Sequence, residues 1–239
     1  MYEFEGVEEY NNAGALLGID GMDGSDELLG ALRKMNPIKR AQTMNKLANP
    51  GTTSKGSRAE MEKHFGDLPP SIKQALAKGE LRLADSIIYS IKPVSSKTIK
   101  LFETQDTKEI GLCNISSAKL PKNQALLVSG IILLAGTSAD ATKDKIMATN
   151  YRDVENFPAL VTGEINLKAN KKQILPETSC QLFKTLNCHT TRLGYYKLAN
   201  PRLITDDVLI ELTIELGTTD GIPAFTYVYA ALHGTITTP

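Results

Sequence analysis

Hydrophobic and polar positions alternate with a period of two in the second part of the chain. The clearest example is the segment 210–216, in which Ile210, Leu212, Ile214 and Leu216 alternate with polar residues. Such alternation is typical of a strand with one buried and one solvated face. After Leu83 we predict about eight strands, at 86–91, 98–103, 124–135, 161–169, 182–183, 195–198, 210–216 and 224–237. Eight strands within roughly 155 residues suit one two-sheet β-sandwich.

Two parts of this pattern support more specific predictions. Residues 124–135 are almost continuously apolar, which is typical of a strand buried on both faces. Residues 210–216 and 224–237 are separated by a short polar stretch that contains Asp220-Gly221, a pair that tolerates left-handed backbone. The sequence therefore predicts a long C-terminal hairpin with an exposed edge.

Before Leu83 the spacing of apolar residues changes to the helical period, with capping residues at several starts. Helices are predicted from Ser25 to about Met35, from Pro37 to about Ala48, from Ser57 to Gly66, and from Pro70 to Lys78 with Gly79 as terminator. The fold class that follows is mainly β, with a charged, helix-prone N-terminal arm over 1–80 and a β-sandwich domain over 81–239.

The arm is electrically polar although the whole chain has a formal net charge of zero. Residues 1–30 carry eight acids and no base, and residues 31–80 carry ten bases against four acids. The candidate contact residues are the bases of a short segment: Arg33, Lys34, Lys39, Arg40, Lys46, Lys55, Arg58 and Lys63. This segment could bind nucleic-acid phosphates, pair with acidic segments of neighbouring copies, or form a solvated helix face.

The spacing of chemically active side chains predicts no catalytic, cofactor-binding or metal-binding residue. The three histidines, His64, His189 and His233, have no second ligand at a metal-binding spacing. Ser129 lies in Leu-Val-Ser-Gly and lacks the Gly-x-Ser-x-Gly pattern that presents a nucleophile. We therefore expect no enzyme activity and no cofactor.

The cysteines and the longest apolar run bear on the environment of the protein. Cys113, Cys180 and Cys188 form no paired framework, and the N-terminus lacks a signal-peptide pattern, so we expect a reducing compartment. The run 125–135 is shorter than the roughly 20 residues of a membrane helix. No membrane span is expected.

The stretch 120–137 (LPKNQALLVSGIILLAGT) and the predicted hairpin within 208–237 resemble virion structural proteins of bacteriophages. A helical arm before an eight-stranded sandwich is similar to viral jelly-roll coat proteins, in which an N-terminal extension ties subunits together. The resemblance implies a single jelly-roll-like antiparallel β-sandwich that self-assembles into a capsid or related particle component. It also implies production in the host cytoplasm, location in the virion, and partners that are copies of itself and other virion proteins.

Other functions fit the same predicted fold. A carbohydrate-binding β-sandwich module usually presents an aromatic platform, for which a chain with no Trp and 6% aromatic residues has little material. The helical arm would also suit a phage head-completion or connector protein, and a β-sandwich can carry an enzyme, because fold does not fix function. We expect a non-catalytic virion protein whose arm tethers neighbouring subunits or contacts packaged nucleic acid.

Overall fold

The computed structural model describes residues 61, 63–186, 189 and 191–239. These residues form a mainly β structure of two four-stranded antiparallel sheets, as the sequence predicts. The strands are β1 (Arg82–Pro93), β2 (Thr98–Lys100), β3 (Ala125–Thr137), β4 (Glu164–Ala169), β5 (Lys172–Ser179), β6 (Tyr195–Thr205), β7 (Ile210–Glu215) and β8 (Thr226–Thr238). The helices are α1 (Pro70–Lys78), α2 (Lys143–Met147) and α3 (Pro158–Val161), with short 3-10 helices at Phe65–Asp67, Val154–Asn156 and Cys180–Phe183.

The order of strands differs between the two sheets but follows one rule. The first sheet has the order β1-β8-β3-β6, and the second has the order β2-β7-β4-β5. In both sheets one of the first four strands pairs with one of the last four: β1 with β8, β2 with β7, β3 with β6 and β4 with β5. The first four strands therefore run antiparallel to the last four, taken in reverse order.

One hydrophobic core takes side chains from both sheets. The first sheet contributes residues such as Leu126, Leu133 and Val228, and the second contributes residues such as Leu167 and Ile214. All five are fully buried. This arrangement, in which two sheets enclose a common core, is that of a β-sandwich.

The strand β3 is buried on both faces, which confirms the prediction from its continuous apolarity. Leu126 belongs to the core between the sheets, whereas its neighbour Leu127 packs on the other face against Met61, Leu68 and Ile72. Since successive side chains of a strand point to opposite faces, only a covered outer face explains an unbroken apolar run.

The predicted helix 70–78 is confirmed as α1, with Pro70 at its first position. It ends at Gly79, which adopts a φ of 78° and whose N–H donates to the Leu76 carbonyl at 3.2 Å. Left-handed backbone costs glycine little, so this residue ends the helix as expected. The predicted helices at 25–35 and 37–48 lie outside the described residues, and the one at 57–66 lies mostly outside them.

The predicted C-terminal hairpin is wrong. β7 belongs to the second sheet, between β2 and β4, whereas β8 belongs to the first sheet, between β1 and β3. The connection 216–225 therefore crosses from one sheet to the other. Both strands are interior, so neither offers the exposed edge that the sequence led us to expect.

Two smaller predictions also need correction, and one strand was missed. Residues 182–183 lie in the 3-10 helix Cys180–Phe183 and form no strand. Val161 ends the helix α3, so the predicted strand 161–169 begins only at Glu164. The strand β5 was not predicted, because Lys172, Gln173, Pro176 and Glu177 obscure its periodicity.

Candidate functional site

The outer face of the first sheet is where the described end of the arm meets the sandwich. Met61, Leu68 and Ile72 are almost fully buried there against Ala125 and Leu127 of β3, and we call these five residues the anchor cluster. Burying a side chain of this size contributes about 1.5–3 kcal/mol to folding. The end of the arm is thus part of the folded body.

Partly buried leucines extend the anchor cluster along α1 and into the sheet: Leu76, Leu81, Leu83 and Leu203. Of the chain's two compact units, 1–55 and 56–239, the second contains every described residue. The sequence-based boundary at residue 80 stays a prediction, although a cut there would remove three members of the anchor cluster.

The basic segment is represented in the described structure by one residue. Lys63 lies two residues after the buried Met61, and its side chain is exposed. The other seven predicted contact residues, Arg33, Lys34, Lys39, Arg40, Lys46, Lys55 and Arg58, lie outside the described residues. The contact role of this segment stays a prediction.

The structure brings Ser129 close to His233, a pair that sequence spacing could not suggest. The Ser129 Oγ lies 3.4 Å from His233 Nδ1 and 3.2 Å from the His233 carbonyl oxygen. A hydroxyl has one proton, so donation to the carbonyl leaves the oxygen to accept from Nδ1–H. In this arrangement the serine proton is directed at the carbonyl oxygen, and Ser129 is only 4% exposed. The pair is a structural contact at the register shift between Val128 and Gly130.

His233 occupies a partly buried position beside an aromatic ring. The Tyr195 ring lies edge-on to the imidazole, with centroids 5.7 Å apart. Burial lowers the pKa of His233 below its usual 6.5, and nearby Arg192 lowers it further, whereas Asp85 acts in the opposite direction.

Three tyrosines cluster near the other end of the same face. The Tyr89 and Tyr229 rings stack at 5.7 Å with an interplanar angle of 19°, and Tyr151 lies 6.1 Å from Tyr229. Burial raises the pKa of Tyr151 to about 12, and its hydroxyl donates to the Ile146 carbonyl. The rings contact one another, so they offer a sugar less free aromatic surface than an open platform would.

The described cysteines are packing residues. Cys113 and Cys180 are both buried and free, and burial raises the pKa of the Cys180 thiol to about 12. A thiol with so high a pKa is a poor nucleophile and a poor metal ligand at neutral pH. Cys188 lies outside the described residues.

Across residues 61, 63–186, 189 and 191–239, no group of three His, Cys, Asp or Glu side chains is arranged to hold a metal ion. Within the same part of the chain, no helix combines the length and apolarity needed to cross a membrane.

A long connection, 101–124, closes the side of the sandwich between β1 and β7. Its backbone bonds to both sheets, because Ile91 N–H donates to the Leu112 carbonyl at 2.8 Å and Ile210 N–H donates to the Ala118 carbonyl at 2.9 Å. Lys92 joins the same connection through Glu103 and Asp106, at 3.1 and 2.5 Å. Burial opposes ionisation of Lys92, but these two carboxylates outweigh it and raise its pKa.

The side chain of Asn114 makes the most specific contact of this connection. Its Oδ1 accepts from Tyr89 N–H at 2.8 Å, and its Nδ2 donates to the Ile87 carbonyl at 2.6 Å. The amide thus occupies the place of a peptide group of a neighbouring strand along β1. No sequence signal marks this residue, since it lies 25 positions from Tyr89 in an irregular segment.

Comparison with known proteins adds no family assignment. No protein-family model matches the chain, and no curated protein matches it.

Proposed function

We propose that this chain is a non-catalytic virion structural protein, built on a jelly-roll sandwich, that self-assembles into a capsid or a related particle component. The observation that carries the proposal is the strand order. Pairing of β1 with β8, β2 with β7, β3 with β6 and β4 with β5 is what results when one long antiparallel hairpin is rolled into two sheets. Jelly rolls of eight strands recur in viral capsids, and also in lectins and cupins.

The charged arm favours the capsid among these classes. Its acidic residues 1–30 and basic residues 31–80 carry opposite net charges, so arms of neighbouring copies can attract one another. The basic stretch can also neutralise the phosphates of packaged nucleic acid. The anchor cluster supports a tethering role, since pull on the arm would be transmitted to β3 through buried side chains.

Removal of the arm tests the proposal. We would compare the full chain with a variant that lacks residues 1–55, by negative-stain microscopy and light scattering over a range of salt concentrations. This cut keeps the compact unit 56–239 and the anchor cluster. We expect the full chain to form large regular particles and the truncated chain to remain small.

Two results would count against the proposal in different ways. A full chain that stays monomeric at every salt and protein concentration would overturn self-assembly itself. Particles that form equally well without residues 1–55 would leave self-assembly standing but would remove the arm from it.

A further inference from the structure

The exposed apolar side chains of the sandwich are not spread evenly over its surface. Six large apolar side chains are exposed in the part of the chain that the structure describes. Five of them lie in loops at one end, where β1 and β3 finish and β8 begins. We call these five residues the apolar end: Ile110, Met147, Leu182, Leu186 and Phe225. Ile110 is 88% exposed and Leu186 is 92% exposed, so packing within the molecule does not account for them.

One long connection, 138–163, holds the loops of the apolar end together. Its Met147 packs over Gly111, where a Cβ would come within 2.5 Å of the methionine sulfur. Its Lys143 pairs with Glu109 at 2.7 Å. These two contacts fix the exposed Ile110 from both of its neighbours in sequence.

The same connection reaches the other two loops. Ser138 N–H donates to the Phe225 carbonyl at 2.9 Å, and Glu155 pairs with Lys184 at 2.8 Å. Lys184 lies between Leu182 and Leu186 in the chain. The apolar end is therefore one bonded assembly of loops, in which the exposed side chains have defined positions.

Phe225 has an unusual backbone for a bulky residue. Its φ is 57°, in the left-handed region that residues with large side chains seldom adopt. Its side chain is nonetheless 49% exposed, so burial in the core does not explain the strain. Backbone strain of this kind collects at functional sites such as ligand clamps.

The charges of this end of the sandwich are nearly balanced. Seven bases and six acids lie in its loops, which are 94–97, 108–112, 138–163, 180–194 and 216–225. Such an end attracts phosphates little and repels an acidic segment little. Its exposed apolar side chains fit an apolar protein segment better than a nucleic acid.

The chain itself has a segment of matching chemistry. Residues 16–35 contain eight large apolar residues, and the sequence predicts a helix over part of this segment. Met61 packs against Ala125 at the start of β3, whereas the apolar end lies beyond Thr137, where β3 finishes. A strand of 13 residues spans roughly 40 Å. The chain that precedes Met61 thus joins the sandwich at the end opposite to the exposed apolar side chains.

We propose that the apolar end binds residues 16–35 of a neighbouring copy. This inference rests on the proposed function, because it names the surface to which the arm tethers the next subunit. Contact between two different surfaces repeats from copy to copy, and it closes into a ring where the rotation between copies allows. Burial of the exposed apolar side chains drives the contact.

Photo-crosslinking in the full chain tests the inference. Leu186 would be replaced by the photoreactive residue p-benzoylphenylalanine, and isotope-labelled and unlabelled chains would be mixed before irradiation. Mass spectrometry then identifies the joined peptides, of which those with mixed isotopes report contacts between copies. We expect mixed peptides that join position 186 to residues 16–35. Lys122, exposed just before β3 at the opposite end, is the control position and should give none.

A charge at the apolar end sharpens the test. Ile110→Asp changes a side chain that is almost wholly exposed, so the fold should persist, as circular dichroism would show. The carboxylate would lose water when the apolar segment binds, so the yield of cross-links from position 186 should fall about tenfold.

Particles that form without cross-links to residues 16–35 would overturn this inference and leave the proposed function standing. Cross-links that occur only within one chain, that are as strong from position 122, or that are undiminished in Ile110→Asp would also overturn it. A full chain that neither assembles nor cross-links between copies would overturn the inference and the proposed function together.

Discussion

The outer faces of the two sheets have opposite characters. On the first sheet, Leu127 of β3 is fully buried beneath the anchor cluster. On the second sheet, the corresponding face of β7 carries Glu211, Thr213 and Glu215, none of which is buried. A sandwich needs only its inner faces to form a core, but the first sheet also buries side chains on its outer face. On that face β3 packs against Met61, Leu68 and Ile72.

The largest loss of stability should come from shortening a side chain on the covered outer face of the first sheet. Leu127→Ala should lower the free energy of unfolding by about 2–5 kcal/mol, because it removes buried methyl groups and leaves a cavity. Thr213→Ala on the open face of β7 should change it by less than about 0.5 kcal/mol. Denaturant unfolding of the two variants measures the difference, and equal losses would contradict the distinction between the faces.

A smaller loss of stability is expected from a substitution at Gly130, on the covered face of β3. A Cβ at this position would lie 2.4 Å from the Tyr195 ring, closer than real side chains approach. Gly130→Ala should therefore cost about 1–3 kcal/mol through overpacking. Combined with Tyr195→Ala, which removes the ring, the loss should be smaller than the sum of the two single losses. Additive losses in a double-mutant cycle would show that the ring is not the obstacle.

The smallest effect concerns the dependence of stability on pH. Because the pKa of His233 is lowered in the folded protein, the unfolded chain binds a proton first as pH falls. The contribution of His233 is complete above the usual pKa of 6.5 and is lost as pH falls from there through the folded pKa. His233→Asn should flatten this part of the profile, as measured by urea unfolding from about pH 7.5 to pH 5. If the variant showed the same dependence of unfolding free energy on pH, groups other than His233 would be responsible for that dependence.

Local sequence patterns predict a helix or strand when its own side chains show which of its faces are buried. The continuous apolarity of β3 predicted burial on both faces, and the proline and glycine that bound α1 predicted its limits. The alternation of β7 likewise predicted a strand with one polar face. In each case the buried positions are decided within a dozen consecutive residues.

Pairing between strands is not decided locally. The side-chain patterns of β7 and β8 are the same whether the two strands pair with each other or with distant strands, so they could not separate a hairpin from a crossover between sheets. β5 escaped prediction because an exposed edge strand is mostly polar. Asn114 and the pair Ser129–His233 depend on contacts between distant segments, which a single sequence does not reveal.

The strand order has a consequence for how the protein is made. Strand β1 emerges early from the ribosome, but Arg82 pairs with Thr238, roughly 150 residues later, which at about 5–20 residues per second means a wait of about 8–30 seconds. Until then β1 lacks β8, its one strand partner among the described residues, and the contact order of the fold is high. The segment 112–114, whose backbone and side chain bond to Tyr89 and Ile91 of β1, follows Tyr89 by only about 25 residues. Asn114, which bonds to Ile87 and Tyr89 in the finished molecule, is thus available to the nascent β1 well before β8.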